Sequence, residues 1–287
     1  MEALSKANVP LQWVHPSTAT DYIRGRMVSI DLYIVLRILP FFWKAVLELM
    51  SRLNNILKLG PRLLHNFKMP AFTLYGARGS TNTDRVRLTL AEGGFTDYEL
   101  VLINLSKGEQ KSQENIQRHP WGKVPSISFS NGFTLYESRA ICKYLAKKYS
   151  FPLLPSDSDV EATALFDQAQ SEEMNYFAEP AGRIAFEKFA KKFIGIPANE
   201  AVVTDALKSV EAFFDVAERL LQHKDYMAGD SFTLADIYYI PLIQRLYACG
   251  YGDIITSRKA VSAWWDRVMN RPAIQKMLAT DKAAAGR

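Results

Sequence analysis

The stretch VPSISFSNGFTLYESRAICKYLAKKY, residues 124–149, changes its hydrophobic rhythm halfway along. Up to Tyr136, β-prone residues flank Asn131–Gly132, a pair that accepts the positive φ angles of a tight turn, so the first half predicts a hairpin. From Ser138 onward the apolar residues recur at helical spacing, so the second half predicts a helix. Upstream, AFTLYG (71–76) is short and β-prone, and TDRVRLTLAEGG (83–94) carries Val86, Leu88, Leu90 and Ala91 before a Gly pair that acts as a stop signal. DYELVLINL (97–105) is a second strand candidate, so the order reads β-α-β and then β-β-α. Downstream, SFPLLPSDSD (150–159) has linker composition. The segments 161–193, 198–222, 234–250 and 260–278 all place apolar residues three and four apart. These patterns predict a small α/β domain over 69–150, an all-helical domain over 157–280, and an N-terminal extension over 1–68.

Composition narrows the function classes. The formal charge is +5, but residues 1–68 hold nine Lys and Arg against four Asp and Glu. Residues 69–287 therefore hold 26 of each sign, and the globular part has no compositional case for nucleic-acid binding. Cys142 and Cys249 are far apart, and neither they nor the four histidines have metal-ligand spacing. The reading is reduced, buried thiols in an intracellular protein, with no metal.

Four local signals carry chemistry or its structural alternative. In WGKVPSI, Pro125 opens a strand; it suits either a plain strand entry or a cis bond that exposes the main chain of Val124. In LYESRAI, Glu137 and Ser138 fall where a strand gives way to a helix. Such a terminus is either a simple cap or a binding site for a carboxylate, because its N–H groups lack intrahelical partners. In SKGEQKS, Gln110 and Lys111 sit in a polar loop, where a lysine serves solubility or neutralises an anion. In TLADIYYI, Thr233 and Asp236 have capping-box spacing, a structural device.

Taken in order, the runs GSTNTDRV (79–86), LSKGEQKS (105–112), HPWGKVPSI (119–127), LYESRAICKYLAKKY (135–149), GIP (195–197) and FTLAD (232–236) resemble the glutathione S-transferase family. The likeness is closest to its phi-like, serine-using members and runs from Pro70 to Leu278. It implies a thioredoxin-like glutathione-binding domain, a helical domain completing an apolar pocket, a homodimer and a cytoplasmic location. It also assigns residues. Glu137 and Ser138 would hold the γ-glutamyl carboxylate, and the main chain of Val124, before cis-Pro125, would pair with the cysteinyl unit as an added strand does. Gln110 and Lys111 would meet the glycyl carboxylate. Gln110 stands where a histidine is usual and Lys123 where a glutamine is common, and both changes keep a donor.

The stretch LYGARGSTNTDRVRL (74–88) crowds Tyr75, Ser80, Thr81 and Thr83 around a turn. A free thiol has a pKa of about 8.5, and lowering it by about two units takes about 2.7 kcal/mol of differential stabilisation. One hydrogen bond to a charged acceptor supplies roughly 1.5–3 kcal/mol, so a single hydroxyl at a helix start suffices. Ser80 matches the phi-like serine. Tyr75 is the rival, one residue late against the tyrosine of other classes, and one step along a strand reverses the face. Thr81 and Thr83 read as caps. The acceptor pocket is expected from Tyr176, Phe177, Ile184, Tyr239 and Leu246. The resulting function is glutathione thiolate attack on a small apolar electrophile. Glutathione-dependent olefin isomerisation and a non-catalytic module of the same fold are the alternatives.

Met69 stands where members of that family commonly start. Ahead of it, VSIDLYIVLRILPFFWKAVLELM (28–50) holds Asp31, Arg37, Lys44 and Glu48 among thirteen Leu, Ile, Val and Phe. Two central cations cost about 5–7 kcal/mol of insertion energy against about 4–8 from the apolar residues. Arg37, Lys44 and Glu48 share one helical face, which equally fits a helix docked on a membrane surface or on protein.

Overall fold

The first strand of the computed structural model, β1 (Phe72–Gly76), lies near the middle of a four-stranded sheet. The structure describes residues 69–285, so the expected helix at 28–50 lies outside the described residues. Phe72 and Leu74 of β1 point into the core, while Thr73 and Tyr75 face the other way, as strand alternation requires. Helix α1 (Thr81–Glu92) leads to β2 (Tyr98–Leu102), which pairs parallel with β1. Two 3₁₀ turns (Leu105–Lys107 and Glu109–Lys111) and the short helix α2 (Gln113–Arg118) follow. The hairpin β3 (Ser126–Ser128) and β4 (Thr134–Tyr136) then adds to β1 antiparallel, giving the order β2-β1-β3-β4. Its connection is a turn closed by the Gly132 N–H to the Phe129 carbonyl at 3.0 Å, with Gly132 left-handed at φ 86°. That is a three-residue loop with a bulge at Gly132, a form that needs glycine there. Helix α3 (Ser138–Lys148) returns over the sheet, and Leu74 and Ile127 meet Val86, Leu88, Ile141 and Leu145 in one core.

The rest is helical. Helix α4 (Val160–Glu172), a π turn (Glu173–Phe177), α5 (Ala178–Ala185), a second π turn (Phe186–Ala190) and α6 (Lys191–Phe193) run without a break. Then come α7 (Glu200–Leu221), α8 (Leu234–Ala248), α9 (Asp253–Thr256), α10 (Lys259–Met269) and α11 (Pro272–Ala285). Helix α8 is apolar on all sides and buried over most of its length, which suits the central helix of a bundle. It starts with the capping box expected at Thr233 and Asp236. The Asp236 carboxylate also accepts from Met227 N and Trp264 Nε1, each at 2.9 Å, so it ties three segments together.

A buried ion cluster joins the two halves. Glu173, in the first π turn and 0% exposed, accepts a two-pronged contact from Arg139 at 2.7 Å and a third bond from Arg85 Nη2 at 3.3 Å. Arg85 Nε donates to the Tyr238 carbonyl of α8 at 3.0 Å, and its Nη1 donates to Asn82. Burial pulls the Arg85 pKa down to about 10, with Arg139 repelling it and Glu173 opposing both effects.

Gly76, at the end of β1, packs against Thr83. A Cβ on it would come within 2.4 Å of Thr83 Cγ2. Thr83 cannot retreat, because it is buried and its Oγ1 accepts the Ala77 N–H at 3.1 Å. Gly76→Ala should therefore destabilise the fold by about 1–3 kcal/mol, read as a lowered melting temperature. An unchanged melting temperature would contradict this packing. Thr83 is thus a brace of the turn rather than a helix cap, a difference from its sequence reading.

Cys142 is buried, and desolvation pushes its thiol pKa up to about 12. Cys249 is only half-buried, so the expectation of two buried thiols holds for one of them.

Candidate active site

Two helix N-termini converge beside the sheet. Ser80 is the N-cap of α1, and its Oγ accepts the Thr83 N–H at 3.3 Å. A serine hydroxyl has two acceptor lone pairs and one hydrogen, so this cap leaves the hydrogen free to donate outward. Glu137 is the N-cap residue of α3, with an exposed side chain that makes no cap bond. Its backbone sits at φ 71° and ψ 110°, a strained region for a residue with a side chain. Such strain costs on the order of 1–3 kcal/mol and clusters where ligands bind. Ser138, buried beside it, reaches Asn82 Oδ1 in the first turn of α1 at 3.4 Å. That contact brings the Ser80 and Glu137–Ser138 termini together. Unpaired N–H groups and aligned peptide dipoles make both favourable to anions.

The third wall comes from the loop ahead of β3. The Val124–Pro125 bond is cis, and among the described residues the main chain of Val124 makes no hydrogen bond. Lys111 Nζ donates to the Trp121 carbonyl at 3.0 Å and lies over Gly122, where a Cβ would come within 2.8 Å of Lys111 Cδ. Among the described residues, the buried Oε1 of Gln110 has no hydrogen-bond partner. Lys123 is exposed next to Val124. Holding this wall is Asn115, buried on α2, whose Nδ2 donates to the Gln110 carbonyl at 2.9 Å and the Lys123 carbonyl at 3.1 Å. Asn115 was not legible as a site residue, since nothing in the mostly polar run QENIQR marks it as buried.

Tyr75 lies elsewhere. It is on the sheet face opposite Leu74, and the Arg118 guanidinium sits 3.9 Å above its ring. The residues expected to line an acceptor pocket are also not gathered near Ser80. Phe177, Ile184, Tyr239 and Leu246 are each 0% exposed and belong to the core. Tyr176 is 64% exposed and lines a separate cavity of about 610 Å³ between the α4–α5 bend and α7. What does meet the Ser80 turn from the helical half is Arg245, whose Nη2 donates to the Gly79 carbonyl at 2.8 Å. Phe189 of the second π turn stacks on that guanidinium at 3.9 Å.

Two family models match this chain, the glutathione S-transferase N-terminal domain over residues 70–147 and the glutathione S-transferase C-terminal domain over 170–272. Glutathione S-transferase 1 of Zea mays is 35% identical over 217 residues, which is 76% of this chain and 100% of the relative. Glutathione S-transferase PM239X14 of Arabidopsis thaliana is 38% identical over 69% of this chain and 91% of its own length. Among solved structures, glutathione transferase F7 from Populus trichocarpa has a TM-score of 0.69 at 28% identity, covering 72% of this chain and 98% of that one. Glutathione S-transferase I from mais, in complex with an atrazine glutathione conjugate, has a TM-score of 0.68 at 35% identity, covering 74% and 98%. The chain belongs to the glutathione S-transferase family, among its phi-like members, and is an enzyme of that type with glutathione as co-substrate.

Proposed function

We propose that this enzyme transfers glutathione to a small apolar electrophile, with the Ser80 hydroxyl donating to the attacking thiolate. The observation that carries this reading is the hydroxyl itself: Ser80 caps α1 through an oxygen lone pair, so its hydrogen remains available to donate. In this reading Glu137 and Ser138 hold the γ-glutamyl end, and the Val124 main chain pairs with the cysteinyl unit. Gln110, Lys111 and Lys123 take the glycyl carboxylate. The electrophile enters between the turn and the Phe189–Arg245 pair. Attack forms the carbon–sulfur bond and expels the leaving group, or places the electron pair on an activated olefin for protonation by solvent. The protein acts in the cytoplasm. No helix among the described residues is long and apolar enough to cross a membrane.

The experiment is calorimetric glutathione binding followed by turnover with 1-chloro-2,4-dinitrobenzene. Glu137→Gln combined with Lys111→Ala should weaken glutathione binding by about tenfold or more. The first removes the charge that would face the γ-glutamyl ammonium, and the second the charge that would face the glycyl carboxylate. The melting temperature should not move, since both side chains are exposed. Unchanged affinity would sink the assigned site.

Dimerisation is supported by a matched pair of features. Trp121 is 68% exposed ahead of the cis bond, and the cavity beside Tyr176 has an apolar lining that includes Pro180, Phe213, Val216 and Leu220. In a two-fold pair each tryptophan would fill the other copy's cavity, a self-complementary arrangement. Trp121→Ala should shift the enzyme toward monomer in sedimentation. A monomeric parent, or a variant that stays dimeric, would overturn this.

A further inference from the structure

We propose that Arg245 is a positioning residue for the activating turn, fixing the Gly79–Ser80 peptide and placing a permanent positive charge beside the glutathione sulfur. The inference rests on the assignment of Ser80 above and extends it to a helix 166 positions along the chain from Gly79. Arg245 Nη2 donates to the Gly79 carbonyl at 2.8 Å, and the N–H of the same peptide, on Ser80, donates to the Ala77 carbonyl at 3.2 Å. Both polar ends of that peptide are therefore anchored, which sets the direction of the Ser80 side chain. Gly79 is left-handed at φ 76°, and a Cβ on it would stand 3.4 Å from Nη2, so the guanidinium lies directly against the turn.

The charge of Arg245 is not cancelled by a contacting carboxylate. Among the described residues its hydrogen bond is to Gly79, and its other face rests on the Phe189 ring at 3.9 Å. The groups around it are few. Asp84 of α1 attracts it but is itself paired with Arg87 at 3.1 Å. Cys249 follows in its own helix, and Arg78 is exposed in the turn. From the second π turn, Glu187 is paired with Lys191 and Lys188 with Glu200. Burial lowers the Arg245 pKa, with Asp84 and Cys249 opposing, but an arginine keeps its proton at neutral pH. A fixed cation held against the activating turn favours the thiolate form of a thiol bound there, and the planar stacked geometry suits arginine better than lysine.

The test is a titration of enzyme-bound glutathione by ultraviolet thiolate absorbance, with pH profiles of kcat/KM for 1-chloro-2,4-dinitrobenzene, on the full chain. Arg245→Gln should raise the apparent pKa of bound glutathione by about one unit and lower kcat/KM about tenfold below neutral pH. The KM for glutathione should change little. Arg245→Lys, which keeps the charge but loses the planar stacked contact, should recover only part of the shift. An unshifted pKa in folded Arg245→Gln overturns the proposal, including the case where only the melting temperature falls, since that marks a fastener between the halves. Ser80→Ala, run in parallel, separates the two ideas. A shift in Ser80→Ala alone leaves Ser80 standing and overturns Arg245. A shift in Arg245→Gln alone retains its electrostatic role and removes Ser80. No shift in either overturns both.

Discussion

Glu173→Ala should cost about 3–5 kcal/mol of folding stability, the largest effect expected of any single side chain here. The substitution strips the shared carboxylate from two guanidiniums, one of which, Arg85, is 2% exposed and cannot turn to water. Its Nε and Nη1 stay tied to the Tyr238 carbonyl and Asn82, so the orphaned charge is held in place. For a domain of this size the melting temperature should fall by roughly 2–4 °C for each kcal/mol lost. Replacing Arg85 by Met in the same chain should restore part of that loss, because it removes the more deeply buried of the two orphaned cations and leaves Arg139, which is partly exposed. A loss below about 1 kcal/mol for the single change would mean that the cluster is not a buried fastening between α1, α3 and the helical half.

Ser80→Ala carries the largest functional effect. Turnover should fall about ten- to a hundredfold near neutral pH, equivalent to about 1.4–2.7 kcal/mol. The deficit should shrink as pH rises, because solvent then deprotonates the thiol without help. The sign follows from the chemistry: a donor to sulfur stabilises the charged form, so removing it moves the thiol pKa upward. Glutathione affinity should change little, since the termini at Glu137–Ser138 and the Gln110–Lys111 wall are untouched. Loss of the cap bond to Thr83 adds a stability cost of about 1 kcal/mol, which a melting curve reads separately. Tyr75→Phe should behave as the parent, because the ring keeps its stacking under the Arg118 guanidinium without the hydroxyl.

The sheet and its helices were legible because their signals are local. Strand alternation set Tyr75 on the face opposite its neighbour Leu74, the Asn131–Gly132 pair marked the hairpin, and Thr233 with Asp236 announced α8. Helix α2 was not read, since QENIQR has five polar residues and a single apolar one, Ile116, too little for an apolar stripe. Apolar spacing alone does not separate a core residue from a pocket wall, and Phe177, Ile184, Tyr239 and Leu246 are buried in the core. Each π turn inserts an extra residue into the helical ladder, which rotates everything after it by about 100°. A wheel drawn through 160–193 with one constant period therefore cannot tell Phe177, in the core, from Phe186, exposed. Glu173 carries no local sign of burial in SEEMNYF and is the buried hub, because its partners Arg85 and Arg139 come from α1 and α3. Arg245 was invisible because its partner, the Gly79 carbonyl, belongs to a turn that only the tertiary fold brings to α8.

The central claim is that this enzyme holds glutathione as a thiolate through the Ser80 hydroxyl, and one titration tests it most directly. Glutathione bound to the parent and to Ser80→Ala is followed by thiolate absorbance across pH at saturating ligand. A parent pKa about two units below that of the free thiol, near 8.5, and a variant pKa one to two units higher than the parent's, is the result the geometry predicts. Equal pKa values in the two proteins, with both binding glutathione, would contradict it.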